Sequence, residues 1–167
     1  NSIINGITDW VYEEEFAFVK AFDWSANSQK IAYIKFDESQ VPEFSMNIFQ
    51  KELYPAVETF KYPKAGEKNA SVSLHLYDTA QNLTKNVDLS NYSDFYIARL
   101  KWTNDANVLS AQVLNRHQDN LDLLFIDGNS ATAKIVLNEK DKAYVDVTDN
   151  LTFLKDNSFI WTSEKDG

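Results

Sequence analysis

Three consecutive carboxylates, Glu13, Glu14 and Glu15, follow two large aromatic residues, Trp10 and Tyr12, in a stretch that opens on Thr8 and Asp9. Acids this close raise one another's pKa unless a cation arrives. A protonated peptide N-terminus, with a pKa near 8, is one such cation. A unit charge pair about 4 Å apart, at an effective dielectric near 20, is worth on the order of 4 kcal/mol before desolvation. The backbone decides which acids converge. On a helix, successive side chains point about 100° apart, so Glu14 and Glu15 share one broad face; a strand would pair Glu13 with Glu15 instead. Thr8 or Asp9 can cap a helix with a side-chain oxygen, and acids in a first turn are favoured by the helix dipole. The expectation is a short acidic helical turn, with Glu14 and Glu15 as an ammonium-binding pair supported by Tyr12 and Trp10. On the residues alone, the triplet also fits an ordinary solvated helix face. A glycan platform built on Trp10 and Tyr12 is a third reading.

The elements that must position these acids are strands. The chain has 167 residues, 44% of them hydrophobic, enough for a core. Period-two alternation of β-branched and aromatic residues dominates. It predicts strands at 16–22, 30–36, 44–49, 56–62, 71–77, 95–102, 108–115, 122–126, 132–137 and 158–162. Turn signals separate several of them: Asn27-Ser28, Asn104-Asp105, Asp127-Gly128-Asn129 and Asp156-Asn157. The class is all-β. An aromatic residue, a short polar turn and a new apolar strand recur at Trp24, Trp102 and Phe153, with 78 residues from the first to the second and 51 from the second to the third. A period of about 50 suits a four-stranded propeller blade, the first interval then carrying an insertion of roughly 25–30 residues. A β-sandwich with three similar hairpins fits the same spacing.

Net charge is −9, against the basic footprint of nucleic-acid binding or anionic membranes. There is no cysteine, so disulfides and cysteine-based sites are excluded. No apolar run approaches the roughly 20 residues of a membrane helix. No signal peptide is recognisable, and Asn1 reads as an arbitrary start, as of a fragment. No cofactor is implied. His75 and His117 are the only histidines; without cysteine they make no metal-ligand pattern, and neither is assigned to catalysis. None of the four glycines brackets a serine as a nucleophile elbow requires, so the chain itself holds no catalytic residues.

The run Ile7-Thr8-Asp9-Trp10-Val11-Tyr12-Glu13-Glu14-Glu15-Phe16 resembles the double-Glu motif of the dipeptidyl peptidase IV family. Trp24-Ser25-Ala26-Asn27-Ser28 with Ile31-Ala32-Tyr33 is similar to that family's Trp-Ser-Pro-Asn-Gly turn and following strand. Tyr62-Pro63-Lys64-Ala65-Gly66, with Asn69 beyond it, looks like a further family segment. These motifs occur in family order over most of the first 80 residues.

The resemblance implies a piece of an N-terminal β-propeller: about two four-stranded blades, part of a third, and an arm at 39–68. It implies a serine exopeptidase whose triad lies in a separate α/β-hydrolase domain outside this chain. It implies that Glu14 and Glu15 hold the free amine of peptide substrates, so that Xaa-Pro or Xaa-Ala dipeptides leave from the N-terminus. The arm holds all three prolines and the aromatics Phe44, Phe49, Tyr54, Phe60 and Tyr62, and the resemblance makes it a homodimer surface. By analogy with bacterial members the location is periplasmic or cell-surface. Two positions depart from the mammalian-type pattern: Phe18 stands at a serine, and Val145-Asp146 at a Phe-Arg pair. The rival from another class is a non-enzymatic propeller or sandwich that binds protein or glycan.

Overall fold

In the computed structural model residues 2–166 are described; Asn1, read above as the start of a fragment, and Gly167 lie outside them. The chain begins with a short strand, β1 (Ile3–Asn5), then helix α1 (Trp10–Phe16), then β2 (Phe22–Trp24) and β3 (Lys30–Asp37). A hairpin follows, β4 (Glu43–Ile48) and β5 (Ala56–Lys61), before β6 (Ser71–Asp78) and β7 (Leu83–Asn86). Then come β8 (Phe95–Trp102), β9 (Val108–Asn115), β10 (Asn120–Asp127) and β11 (Ala133–Lys140), and last the short β12 (Thr152–Phe153) and β13 (Phe159–Ile160).

All named pairings are antiparallel and form a chain of blades. In the first blade β3 pairs with β6 and β6 with β7, while β1 and β2 both lie along the other edge of β3. The innermost strand of this blade is therefore split. Ile3–Asn5 faces Lys35–Asp37, the chain departs, and Phe22–Trp24 resumes against Ile31–Tyr33. The two ends of the excursion are sewn together: Gly6 N donates to Ile34 O, Ala21 N to Gly6 O, Ile34 N to Ala21 O and Thr8 N to Val19 O. Gly6 takes φ +72° to leave the strand, a conformation glycine adopts without a Cβ clash.

The second blade is an uninterrupted meander, β8-β9-β10-β11. It buries Ile97, Leu109, Val113, Leu114, Leu121, Leu124 and Ile126 in a core continuous with that of the first blade. The start of a third is the pair β12–β13. The repeat seen in the sequence is physical. After Trp24, Trp102 and Phe153 the same closing bond recurs: Ser25 N to Lys30 O, Thr103 N to Val108 O, and Leu154 N to Ser158 O. The fold is all-β and propeller-like, an open arc with one short helix among the described residues.

Strand bounds follow the alternation except where another force takes over. The strand expected at 16–22 is not one element. Phe16 ends α1, Ala17 turns left-handed at φ 54°, Lys20 makes a single bridge to Ile7, and the ladder begins at Phe22. Phe16 lies four residues after Tyr12, so its apolar character belongs to the helical period. The strand expected at 158–162 is confined to Phe159–Ile160.

Candidate functional site

Helix α1 is only seven residues long, too short to hold itself in water. It is held at both ends and from beneath. At the start, the buried Asp9 carboxylate accepts the Tyr12 amide at 3.1 Å, so Asp9 rather than Thr8 is the cap. Thr8 instead donates its hydroxyl to Phe18 O, fastening the return of the excursion. Burial pushes the Asp9 carboxyl above its ordinary range, and the Tyr12 amide pulls it back. Beneath, Tyr12 is 2% exposed and packs edge-on against Phe16, Phe18, Phe36 and Tyr96. Its hydroxyl accepts the Ile97 amide at 2.8 Å, at the point where the β8–β9 register slips between Ile97 and Arg99. A β-bulge of this kind frees a backbone group from the ladder. Tyr12 thus ties the first blade's excursion to the second blade's inner strand.

With one face of α1 buried this way, Glu13, Glu14 and Glu15 are left exposed. The acids leave the first blade on the edge of β3 along which β1 and β2 lie, opposite β6 and β7. Among the described residues no side-chain hydrogen bond or ion pair engages Glu13 or Glu14. Glu15 differs: its Oε1 accepts a hydrogen bond from Gln118 Nε2. Tyr96 and Tyr144 also lie within the reach of the Glu15 charge. Burial is the larger reason that both phenols are raised, and Glu15 adds to the rise in each. For Tyr96, the Asn69 side-chain amide bonded to its hydroxyl at 2.8 Å and the nearby Arg116 act in the opposite direction.

The sequence-predicted residues are thus gathered but not equivalent. Glu14 and Glu15 are adjacent on a fixed helix. Tyr12 supports them from the core. Trp10 is 38% exposed and rests against Tyr62 at the foot of the β4–β5 hairpin, ring centroids 4.4 Å apart. Two rings disposed like this, one buried and one leaning on a third, form no flat stacking platform. Val145-Asp146 does come to the site: Val145 N donates to Gln118 O at 2.8 Å, and Asp146 accepts the Tyr144 hydroxyl. Phe18 lies under the Arg99 guanidinium, 5.3 Å from its ring, and against Tyr12. Gln118 and Tyr144 were not predicted from the sequence; a lone glutamine in a polar turn and a tyrosine in a strandless stretch carry no pattern. His75 stacks on Tyr33 and hydrogen-bonds Ser73, and burial lowers its pKa, as suits a neutral packing residue. Among the described residues no group of His, Asp and Glu could hold a metal, and no helix is long and apolar enough to cross a membrane.

Similarity to known proteins follows the same lines. Residues 1–167 match the family described as the dipeptidyl peptidase IV (DPP IV) N-terminal region. Dipeptidyl aminopeptidase B of Saccharomyces cerevisiae is 33% identical over 163 residues, covering 93% of this chain and 20% of its own length. The crystal structure of Porphyromonas gingivalis dipeptidyl peptidase 4 superposes with a TM-score of 0.94 at 44% identity, covering 100% of this chain and 24% of that one. The chain spans about a fifth of the length of the curated relatives it matches. Split inner strand, acid-bearing excursion and blade arc all lie within the matched residues, and the chain belongs to the dipeptidyl peptidase IV N-terminal region family.

Proposed function

We propose that this chain is the substrate-amine recognition part of a dipeptidyl peptidase IV-like serine exopeptidase. Glu14 and Glu15 hold the α-ammonium of a peptide. A nucleophile at a fixed distance then reaches the bond after the second residue, so the whole protein releases Xaa-Pro or Xaa-Ala dipeptides. The Ser-Asp-His triad belongs to an α/β-hydrolase domain beyond these residues, and the chain alone does no chemistry. The observation that carries this reading is the pair of adjacent exposed carboxylates on a helix that Asp9 and Tyr12 lock to two blades. A helix fixed at its backbone keeps both acids on one face, which lowers the reorganisation needed when the cation arrives.

The 39–68 arm is proposed as a homodimer surface, supported by the exposed Phe49, Leu53 and Tyr54 at its tip. A periplasmic or cell-surface location is proposed by analogy alone. The test is hydrolysis of an Xaa-Pro chromogenic substrate by the full-length protein and its Glu14→Ala and Glu15→Ala variants. A loss of about a hundredfold in kcat/KM, roughly 2.7 kcal/mol, with the fold intact is expected. Unchanged kinetics would reduce the acids to a solvated turn.

A further inference from the structure

The two acids of the pair are not held alike, and the difference lies in one strained residue. Gln118 sits in the turn between β9 and β10 with φ +57°, a left-handed conformation that glycine and asparagine adopt far more readily than glutamine. The turn around it is tightly fastened. Gln118 N donates to Asn115 O; Asn115 Oδ1 accepts the amides of Asp119 and Asn120; Asn115 Nδ2 donates to Asp119 Oδ1. Strain of this kind persists where the surroundings over-determine a residue. What the residue gains is reach. From this backbone its amide donates to Glu15 Oε1, 103 positions away in sequence, while its carbonyl accepts Val145 N. Asparagine would relieve the backbone and fall one methylene short of the carboxylate.

We infer that Gln118 is a positioning residue, fixing the Glu15 carboxylate as a preset acceptor for the substrate amine while Glu14 is left free to close on it. The inference rests on the amine-binding reading above. Among the described residues the Gln118 side chain hydrogen-bonds Glu15 alone. Its effect is confined to the half of the pair it holds, and it reaches the reaction only through Glu15. The same turn anchors the Tyr144–Asp146 segment through Val145, so Glu15 and that segment share one rigid support.

The test is kinetic and uses the full-length protein with a free-amine Xaa-Pro substrate. Gln118→Asn eases the left-handed backbone and removes the reach; Gln118→Met keeps the length and removes the donor. Both are expected to raise KM five- to twentyfold with kcat within twofold, and Gln118→Asn to unfold at a temperature no lower than the parent. In a Glu15→Ala background neither substitution should change KM by more than twofold; in a Glu14→Ala background the full factor should remain, since only contacting groups couple. An equal loss in both backgrounds, or none in either, overturns the positioning role. If Glu14→Ala and Glu15→Ala are themselves without effect, the amine-binding reading has failed and this inference with it. If they cost a hundredfold while the Gln118 variants are silent, the positioning role alone has failed.

Discussion

Asp9 carries two opposed duties at the head of α1. As an N-cap it should be ionised, and as a buried group it should not. Its pKa is raised by burial, so the folded chain binds a proton more readily than the unfolded one. Stability therefore falls as pH rises from the ordinary aspartate value, about 3.9, through the folded value, and the loss is constant above that. Asp9→Asn keeps the cap without the buried charge. It is expected to be at least as stable as the parent at pH 7 in urea denaturation, with the gap closing as pH is lowered toward 4. Asp9→Ala should lose about 1 kcal/mol at pH 7. A markedly less stable Asp9→Asn would mean that the helix dipole outweighs burial. Tyr12→Phe poses a different question, since it preserves the ring packing and orphans the Ile97 amide. A cost of about 1–3 kcal/mol is expected, read as a lower denaturation midpoint with an unchanged slope.

At the scale of elements, the β4–β5 hairpin pairs only with itself. It is rooted by Tyr62 N on Pro42 O, by the Lys61 ammonium on Val41 O, and by the Phe44, Phe60 and Tyr62 rings. Its tip offers Leu53, 89% exposed, and Tyr54, 80% exposed. Replacing both by glutamate should leave the melting temperature of the monomer unchanged. On the homodimer reading proposed above it should shift the full-length protein from dimer to monomer in sedimentation velocity; a persistent dimer would place the interface elsewhere, and a parent that is already monomeric would remove that reading. β3 and β6 were legible in the sequence because they bury alternate residues, and burial of one face writes a period of two, whereas β9 and β10, buried on both faces, read as apolar runs bounded by turn signals. β1, β2, β7 and β12 were not legible. β7, Leu-Thr-Lys-Asn on the outer edge, is mostly exposed, and strands of two or three residues are shorter than the pattern needs. The acids were legible as a motif. Gln118 was not, because its role is created by a contact across 103 positions.

For the whole molecule, the joint between blades is polar as well as apolar. Asp23, in the inner strand of the first blade, accepts the Trp102 amide through Oδ2 and the Trp102 indole N–H through its carbonyl, each at 3.1 Å. Lys30, 6% exposed, donates to Asn107 of the second blade. Gly128 keeps this corner closed, since a Cβ there would meet Asn107 O and the Trp102 ring at 3.1 Å. Asp23→Ala leaves the Trp102 amide without its partner and should cost about 1–3 kcal/mol. Because the two blades share one core, near-UV circular dichroism and fluorescence should report a single coincident transition in the variant; two separated transitions would show that the blades melt independently.

The split inner strand has an evolutionary consequence. Hydrogen bonds from Gly6, Ala21, Ile34 and Thr8 reseal the sheet behind the excursion, so chain length between residues 7 and 20 is decoupled from the register of everything beyond it. Loop closure costs grow only slowly with length. An insertion or deletion here that left Tyr12 and Phe16 seated in the core would re-aim the acids without moving a blade. Such a seam lets a rigid scaffold change how far its acidic excursion projects while the fold around it is inherited intact.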